Sequence, residues 1–211
     1  MDNCNLCLEL MGEARPEFGL EYSRLVRVGR NAILHSEYFI LLPSFGPLNE
    51  SHAMLVPRRH VNSFAQLADE ELEEASLILK RLRRFTEGKA GKSLVFFESG
   101  AGALMSHSGG CITHAHIHVA FSCESFDSRL KHEVSLVPLF DKGYCNADTD
   151  LGYVWYEDAS QGRYLCNNPM LPSQFLRYIY AESCGCDSAW NWRRDPNMQG
   201  VISVLEFYKG V

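Results

Sequence analysis

The most constraining feature of this sequence is a row of three histidines in the segment HAHIHVA, residues 114–120. The histidines alternate with small or aliphatic residues, and a period of two is typical of a β-strand and not of a helix. The segment therefore predicts a strand with three imidazoles on one face, about 6.5–7 Å apart, and Ala115, Ile117 and Val119 facing a core. A solvated strand face is the simple alternative. Titratable rings in a row suit catalysis or metal binding better than core packing.

Two further motifs accompany the row. His52 and His60 bracket an apolar segment that ends in Pro57 followed by two arginines, and an N-terminal pair, Cys4 and Cys7, has the spacing Cys-x-x-Cys. Together with the histidine row, these motifs resemble the histidine-triad (HIT) superfamily of nucleotide hydrolases and transferases. The resemblance covers about residues 1–121.

The cysteine pair has the spacing of a tetrahedral zinc hook, although a lone pair of this kind can also be redox-active or incidental. In HIT proteins that carry the pair, the site is completed by the histidine after the Pro-basic strand and by the first histidine of the triad. The resemblance therefore implies a closed, structural zinc site made by Cys4, Cys7, His60 and His114.

The resemblance also implies catalytic roles. The middle histidine, His116, would attack the α-phosphorus of a nucleotide and form a covalent nucleotidyl-histidine, which water then cleaves. His118 and His52 would contact the same phosphate. The simple alternative for His52 is a packed histidine at a strand end.

Nucleotide contacts are expected from a glycine-rich loop directly before the triad, because Gly109 and Gly110 allow a close approach of the backbone to phosphate. Cys111 follows in that loop, and the resemblance adds Ser44 and Glu98 as candidate ribose contacts. The chain departs from the common HIT pattern here: Gly110 and Cys111 replace a Gln and a Ser or Thr, and Glu98 stands where one branch has Asn. The substrate class is therefore less constrained than the chemistry.

Composition excludes several classes. The 211 residues are 46% hydrophobic and 22% charged, which is ordinary for a soluble globule. A net charge of −6 without a basic tract argues against a nucleic-acid partner. The sequence has neither a membrane-length apolar run nor a signal-peptide pattern, so we expect a cytoplasmic protein. In that compartment its eight cysteines favour metal ligands or buried thiols over disulfides.

The predicted fold is α+β: a HIT-like antiparallel sheet with one principal helix, plus an α/β C-terminal elaboration. The helix is expected to begin at an Asp69 cap and to stop near Gly88. Hydrophobic periodicity and turn residues predict the following elements: strands Tyr22–Val28, Ala32–Leu42, His52–Val56, Leu94–Glu98, Tyr153–Glu157 and Arg163–Asn167, and helices Ala68–Glu87 and Ser173–Glu182.

No linker is visible, so we expect a HIT-like catalytic domain at 1–121 and, at 122–211, an extension packed on the same domain. One hypothesis is that the extension walls the nucleotide pocket and selects the leaving group through Gln174, Arg177, Arg193 and Arg194. The alternatives are a cover for the sheet or a surface for a homodimer.

The leading function is hydrolysis of a nucleotide α-phosphate derivative, such as a dinucleoside polyphosphate, a nucleoside phosphoramidate or a nucleotidylated small molecule. A nucleotidyltransferase or phosphorylase, and a non-catalytic nucleotide-binding module, are the alternatives. In the transferring branches the last triad position is typically Gln, whereas this chain has His118. Loss of the middle histidine would mark a non-catalytic module, and His116 is present.

Overall fold

An antiparallel sheet organises the computed structural model, which describes residues 4–14, 18–104, 114–140, 143–186 and 190–211. Within these residues the strand order is β1-β2-β3-β5-β4-β7-β8-β6, and all neighbouring strands run antiparallel. The strands are β1 (Leu34–His35), β2 (Phe39–Pro43), β3 (Ala53–Pro57), β4 (Leu94–Gly100), β5 (Ile117–Phe121), β6 (Val137–Leu139), β7 (Tyr153–Glu157) and β8 (Arg163–Asn167). The helices are α1 (Asn5–Leu10), α2 (Gly19–Arg27), α3 (Asp69–Ala90), α4 (Glu124–Glu133), α5 (Phe175–Cys184) and α6 (Met198–Phe207), and a short 3₁₀ helix spans Phe64–Gln66.

Both faces of the central strands are covered. On one face, Leu79 and Leu82 of α3 join Phe96 and Ile117 in the larger apolar cluster. On the other face, residues of α4 and α5 such as Phe126 and Tyr180 join Phe97 of β4 in a second cluster. The α+β prediction with an antiparallel sheet is therefore confirmed, and adjacent residues of one strand enter different cores.

The principal helix is confirmed with small corrections at its ends. Ala68, not Asp69, precedes the helix, and its amide donates to Oε2 of Glu71 over 2.7 Å. Gly88 lies inside the helix, which ends before Gly91 at a φ of 64°. The positive φ at residue 91 favours glycine, whereas Gly88 keeps a helical conformation.

The predicted strand Tyr22–Val28 is wrong, because this segment lies mostly in α2. Phe18, Tyr22 and Val26 are buried and four residues apart, which is a helical period. The predicted strand Ala32–Leu42 is divided in two: β1 and β2 form a hairpin across Ser36, whose hydroxyl donates to Oε1 of Glu74 over 2.5 Å.

The C-terminal residues extend the same sheet. The predicted hairpin is confirmed with unchanged bounds as β7 and β8, and β7 pairs with β4 from Phe96↔Glu157 to Gly100↔Tyr153. The helix expected at Ser173–Glu182 begins two residues later, as α5. No helix among the described residues combines the length and the apolar composition needed to cross a bilayer.

A buried arginine ties α3 to this sheet. The Nη2 atom of Arg83 lies 2.9 Å from Oε1 of Glu157, and its guanidinium lies 4.3 Å from the centre of the Phe96 ring. Arg83→Met should lower the free energy of unfolding by about 3 kcal/mol, because it leaves a buried carboxylate short of one partner. This loss lies at the low end of the range for a broken buried ion pair, because Nε of Arg163 still pairs with Glu157 over 2.7 Å.

Chemical denaturation would measure this loss, with Arg84→Met as the matched control, because Arg84 is the exposed neighbour on the same helix. Equal stabilities of the two variants would contradict a role for the buried ion pair.

Candidate active site

Only the last triad histidine lies in a strand. Since β5 begins at Ile117, His114 and His116 precede it, and His118 is its second residue. The apolar residues between the histidines still enter the core under α3, as the period of two predicts. The prediction that all three rings share one strand face is therefore only partly right.

His116 has its proton position fixed by the backbone. Its Nδ1 lies 2.9 Å from the carbonyl oxygen of His114. A carbonyl oxygen only accepts hydrogen bonds, so Nδ1 carries the proton and Nε2 carries a lone pair. Because His116 also lines a cavity, it presents a neutral imidazole of the tautomer that a nucleophile at Nε2 requires.

His52 and His118 form a hydrogen-bonded pair. The amide of Leu48 donates to Nδ1 of His52 over 3.1 Å, so the proton of His52 lies on Nε2. That atom is 3.0 Å from Nδ1 of His118 and donates to it. His118 therefore keeps its own proton on Nε2.

This arrangement corrects the expected position of His52. The residue is 0% exposed and is not among the cavity-lining residues, whereas His118 is. His52 lies behind His118 and fixes its tautomer. In the structure it contacts His118 and does not line the cavity.

The three histidines are neutral near pH 7. Burial is the main cause that lowers the pKa of His116, and it lowers the pKa values of His52 and His118 well below 6.5. The positive charge of Arg177 lowers all three further. Beside the histidines the site thus combines neutral rings with the cation of Arg177, which favours an anionic group over a cationic one at this place.

The cavity beside these histidines has a free volume of about 680 Å³. Strands, α1, the residue before α2 and the C-terminal extension contribute to its wall. The lining residues are Asn5, Leu6, Glu9, Phe18, Ser44, Phe45, Met54, Ser99, His116, His118, Gln174, Leu176, Arg177 and Trp192.

Arg177 is held firmly at the cavity wall. Its Nη1 donates to Oγ of Ser44 over 2.8 Å, its Nε donates to the carbonyl of Trp190 over 2.9 Å, and its Nη2 donates to the carbonyl of Gly46. The sequence-predicted Ser44 therefore reaches the cavity together with a residue of the extension. Such a buried, oriented guanidinium suits a phosphate or ribose oxygen.

One other predicted contact, Glu98, is not brought to this cavity. Gly109, Gly110 and Cys111 lie outside the described residues. Glu98 is 0% exposed and points into the core opposite His118, where Oε1 accepts from the amide of Phe64 over 2.8 Å and Oε2 accepts from the hydroxyl of Tyr153 over 2.9 Å. Glu98 is therefore not a cavity residue, whereas its neighbour Ser99 is.

The extension contributes differently from the sequence hypothesis. Gln174 and Arg177 line the cavity, but Arg193 and Arg194 are exposed and do not. The guanidinium of Arg193 instead lies 4.8 Å from the centre of the Trp192 ring. Sequence reasoning missed the wall made by α1 and Phe18, although the four-residue spacing of Phe18, Tyr22 and Val26 carried a signal for the helix beside it.

The four predicted metal ligands lie together, with their ligand atoms within 4.8 Å of one another. The Nδ1 of His114 is 3.6 Å from Sγ of Cys4 and 3.4 Å from Sγ of Cys7. The Sγ of Cys7 is also 3.3 Å from Nδ1 of His60. Zinc–sulfur and zinc–nitrogen bonds of ordinary length at tetrahedral angles require sulfur–nitrogen separations of about 3.6 Å. The donor set therefore fits zinc.

The orientation of His114 also fits a ligand. Its Nε2 donates to the carbonyl oxygen of Pro57 over 2.8 Å, so Nδ1 presents a lone pair to the two sulfurs. Burial lowers the pKa of His114 to about 4, which keeps the ring neutral at pH 7. The same residue thus joins the metal-type cluster to the active site, because its carbonyl orients His116.

Comparison with known proteins agrees with this geometry. The family described as "Protein similar to CwfJ C-terminal" matches residues 1–137. The chain belongs to this family. The family is HIT-like, so the resemblance predicted from the triad is confirmed. No curated protein gave a significant match.

Among solved structures, the chain is similar to a HIT family member from Bacillus subtilis, with a TM-score of 0.44 and 13% identity over 56% of this chain and 72% of that one. It is also similar to a Zn-bound histidine triad family protein from Mycobacterium smegmatis, with a TM-score of 0.42 and 16% identity over 57% and 75%. A hypothetical protein from Leishmania major has a TM-score of 0.41 and 17% identity over 57% and 74%.

The buried position of Glu98 generates a pH-dependent prediction. Burial raises its pKa from 4.5 to about 8, against the opposing effect of its two hydrogen bonds. Between these two values the folded chain holds a proton that the unfolded chain has released, so the contribution of Glu98 to stability falls as pH rises. Glu98→Gln should remove this slope, because an amide can accept from Phe64 and donate to Tyr153.

The measurement is the free energy of unfolding from pH 5 to pH 9. We expect the variant to gain stability relative to the wild type with rising pH, whereas Glu73→Gln, at an exposed position on α3, should not. Parallel pH curves for Glu98→Gln and the wild type would show that Glu98 is ionised in the folded protein.

Proposed function

We propose that this chain hydrolyses a nucleotide α-phosphate derivative through a covalent nucleotidyl-histidine on His116. The observation that carries the proposal is the 2.9 Å contact of His116 Nδ1 with a backbone carbonyl, which makes Nε2 the nucleophilic nitrogen at the cavity. A dinucleoside polyphosphate, a nucleoside phosphoramidate and a nucleotidylated small molecule all offer the required α-phosphorus.

The proposed reaction has two displacements. First, the lone pair on Nε2 of His116 attacks the α-phosphorus, and the bond to the leaving group breaks, so that the leaving group departs with the bonding electrons. Second, water attacks the same phosphorus, and the phosphorus–nitrogen bond breaks, which restores the lone pair on Nε2. The water yields one proton to solvent or to the departed group, and the products are a nucleoside monophosphate and the free leaving group.

The neighbouring groups stabilise the charge that develops on phosphate. Since Nδ1 of His118 accepts from His52, its Nε2–H is available to donate to a non-bridging phosphate oxygen. Arg177 supplies the positive charge that a neutral histidine pair lacks. His52 fixes the direction in which His118 donates.

Hydrolysis is favoured over the alternatives by the triad itself. His118 occupies the position where transferring relatives typically have Gln, and His116 retains a nucleophilic geometry that a non-catalytic binding module does not need. A nucleotidyltransferase remains the second candidate, because the same covalent intermediate would serve it.

We also propose that Cys4, Cys7, His60 and His114 hold a structural zinc ion. All four positions of a tetrahedron are filled by protein, so the metal would act through folding and not through an open coordination site. It would fix α1 against the segment before β5. Because α1 also carries three cavity residues, Asn5, Leu6 and Glu9, the metal would support the cavity wall as well.

Freshly purified protein should therefore contain about one zinc ion per chain. The double variant Cys4→Ser, Cys7→Ser should lose the metal, melt at a lower temperature and bind nucleoside monophosphates more weakly. Elemental analysis, thermal melts and calorimetry measure these effects, with Cys145→Ser, at an exposed position, as the control. Metal-free wild-type protein with unchanged stability would refute the zinc proposal.

The nucleophile is tested by His116→Ala. This variant should lose turnover by about 1,000-fold or more, roughly 4 kcal/mol in the transition state, while it retains most of its affinity for a nucleoside monophosphate. His132→Ala, at an exposed position on α4, is the matched control.

Rates should be measured on a dinucleoside polyphosphate and on a nucleoside phosphoramidate, with rapid-quench mass spectrometry of the wild type. We expect a nucleotide adduct on His116. Near-normal turnover by the folded His116→Ala variant would exclude covalent catalysis at this residue.

A further inference from the structure

We propose that Glu9 recognises the nucleobase and makes the cavity selective for guanine. This inference rests on the proposed function only in requiring that a nucleotide occupies the cavity. It concerns the part of the cavity wall that α1 and Phe18, the residue before α2, contribute.

Glu9 is placed in this wall by two buried donors. It is 8% exposed, and Oε2 accepts from the hydroxyl of Tyr22 over 2.8 Å and from Nδ2 of Asn31 over 3.5 Å. Tyr22 and Asn31 are themselves buried. Both hydrogen bonds end on the same oxygen, Oε2, so the protein orients the carboxyl group, and Glu9 is one of the residues that line the cavity.

Aromatic rings surround this carboxyl group. The ring centre of Phe45 lies 4.5 Å from that of Phe18, 4.9 Å from that of Tyr22 and 5.9 Å from that of Trp192. Among the described residues, no ring contact joins this aromatic cluster to His116 or His118. The cavity wall thus includes, besides the histidines, an aromatic part with flat surfaces suited to a planar base.

Burial raises the pKa of Glu9 to about 7, so above that pH the group is a carboxylate, which only accepts hydrogen bonds and thereby distinguishes the bases. On its Watson–Crick edge guanine presents two neighbouring donors, N1–H and the 2-amino group, to such an acceptor. Adenine and cytosine each place a ring acceptor beside their amino donor, and uracil places carbonyl oxygens on both sides of N3–H. Each of these three edges therefore brings a lone pair toward the carboxylate, and such repulsion is an effective source of selectivity.

The first test needs only the wild-type protein. Isothermal titration with GMP, IMP and AMP, which are products and not substrates, measures affinity without turnover. GMP should bind at least about tenfold more tightly than IMP, which lacks only the 2-amino group, and than AMP, in which a ring acceptor replaces N1–H.

The second test assigns this preference to Glu9. Glu9→Gln replaces one acceptor oxygen by an amide donor of the same shape, so it should reduce the GMP preference to about threefold or less while leaving AMP affinity unchanged or higher. Glu13→Gln, at an exposed position beyond α1, should keep the wild-type preference. Thermal melts report whether each variant is folded.

The outcomes separate the two proposals. Equal affinities of the three nucleotides for wild-type protein, or a wild-type preference in folded Glu9→Gln, would overturn the assignment of Glu9 and leave the proposed hydrolysis intact. Failure of all three nucleotides to bind would overturn both. If Glu9→Gln does not fold, the wild-type series alone decides whether the cavity is selective for guanine.

Discussion

The antiparallel pairing of β5 with β3 and β4 is the constraint on which the rest of the site depends. It sets His118 opposite Met54 on one side and opposite Phe97 on the other. In this register the His118 ring stacks on Phe97, at 4.9 Å between centres, and reaches His52 just before β3. A shift by one residue would turn His118 to the α3 face and destroy every contact that fixes its proton.

Backbone carbonyls and amides determine the chemistry of the histidines more than side-chain charges do. Three backbone groups, those of Leu48, Pro57 and His114, each fix the tautomer of one ring. Burial then keeps these rings neutral, because the charged form would lose its hydration. A neutral imidazole with a defined tautomer at physiological pH thus follows from fold geometry, and the buried carboxyl group of Glu98 lies in the opposite core.

The local patterns of the sequence predicted what is local in the structure. The alternation around the triad identified Ile117 and Val119 as core residues, and the hairpin of β7 and β8 followed from turn residues between two short apolar runs. The spacing of Cys4 and Cys7 indicated a ligand pair, but the two distant histidines came from the family resemblance.

What the sequence could not supply depends on tertiary packing. The segment around Tyr22 contains two residues that favour strands, Tyr22 and Val26, and its helical face is defined by packing on Phe45. The bond between His52 and His118 depends on strand register, which no local pattern specifies. The contact between Arg177 and Ser44 also depends on tertiary packing, because the two residues are 133 positions apart in the sequence.

The pairing of β7 with β4 has a consequence for association between chains. Both sides of β4 are paired within this chain. Among the described strands, the two edge strands of the sheet are therefore β1, with two residues, and β6, with three. β6 contains Pro138, which has no amide hydrogen to offer to a further strand. Edges so short and incomplete are poor templates for strand addition, and the extension thereby protects the long central strands from intermolecular β-aggregation.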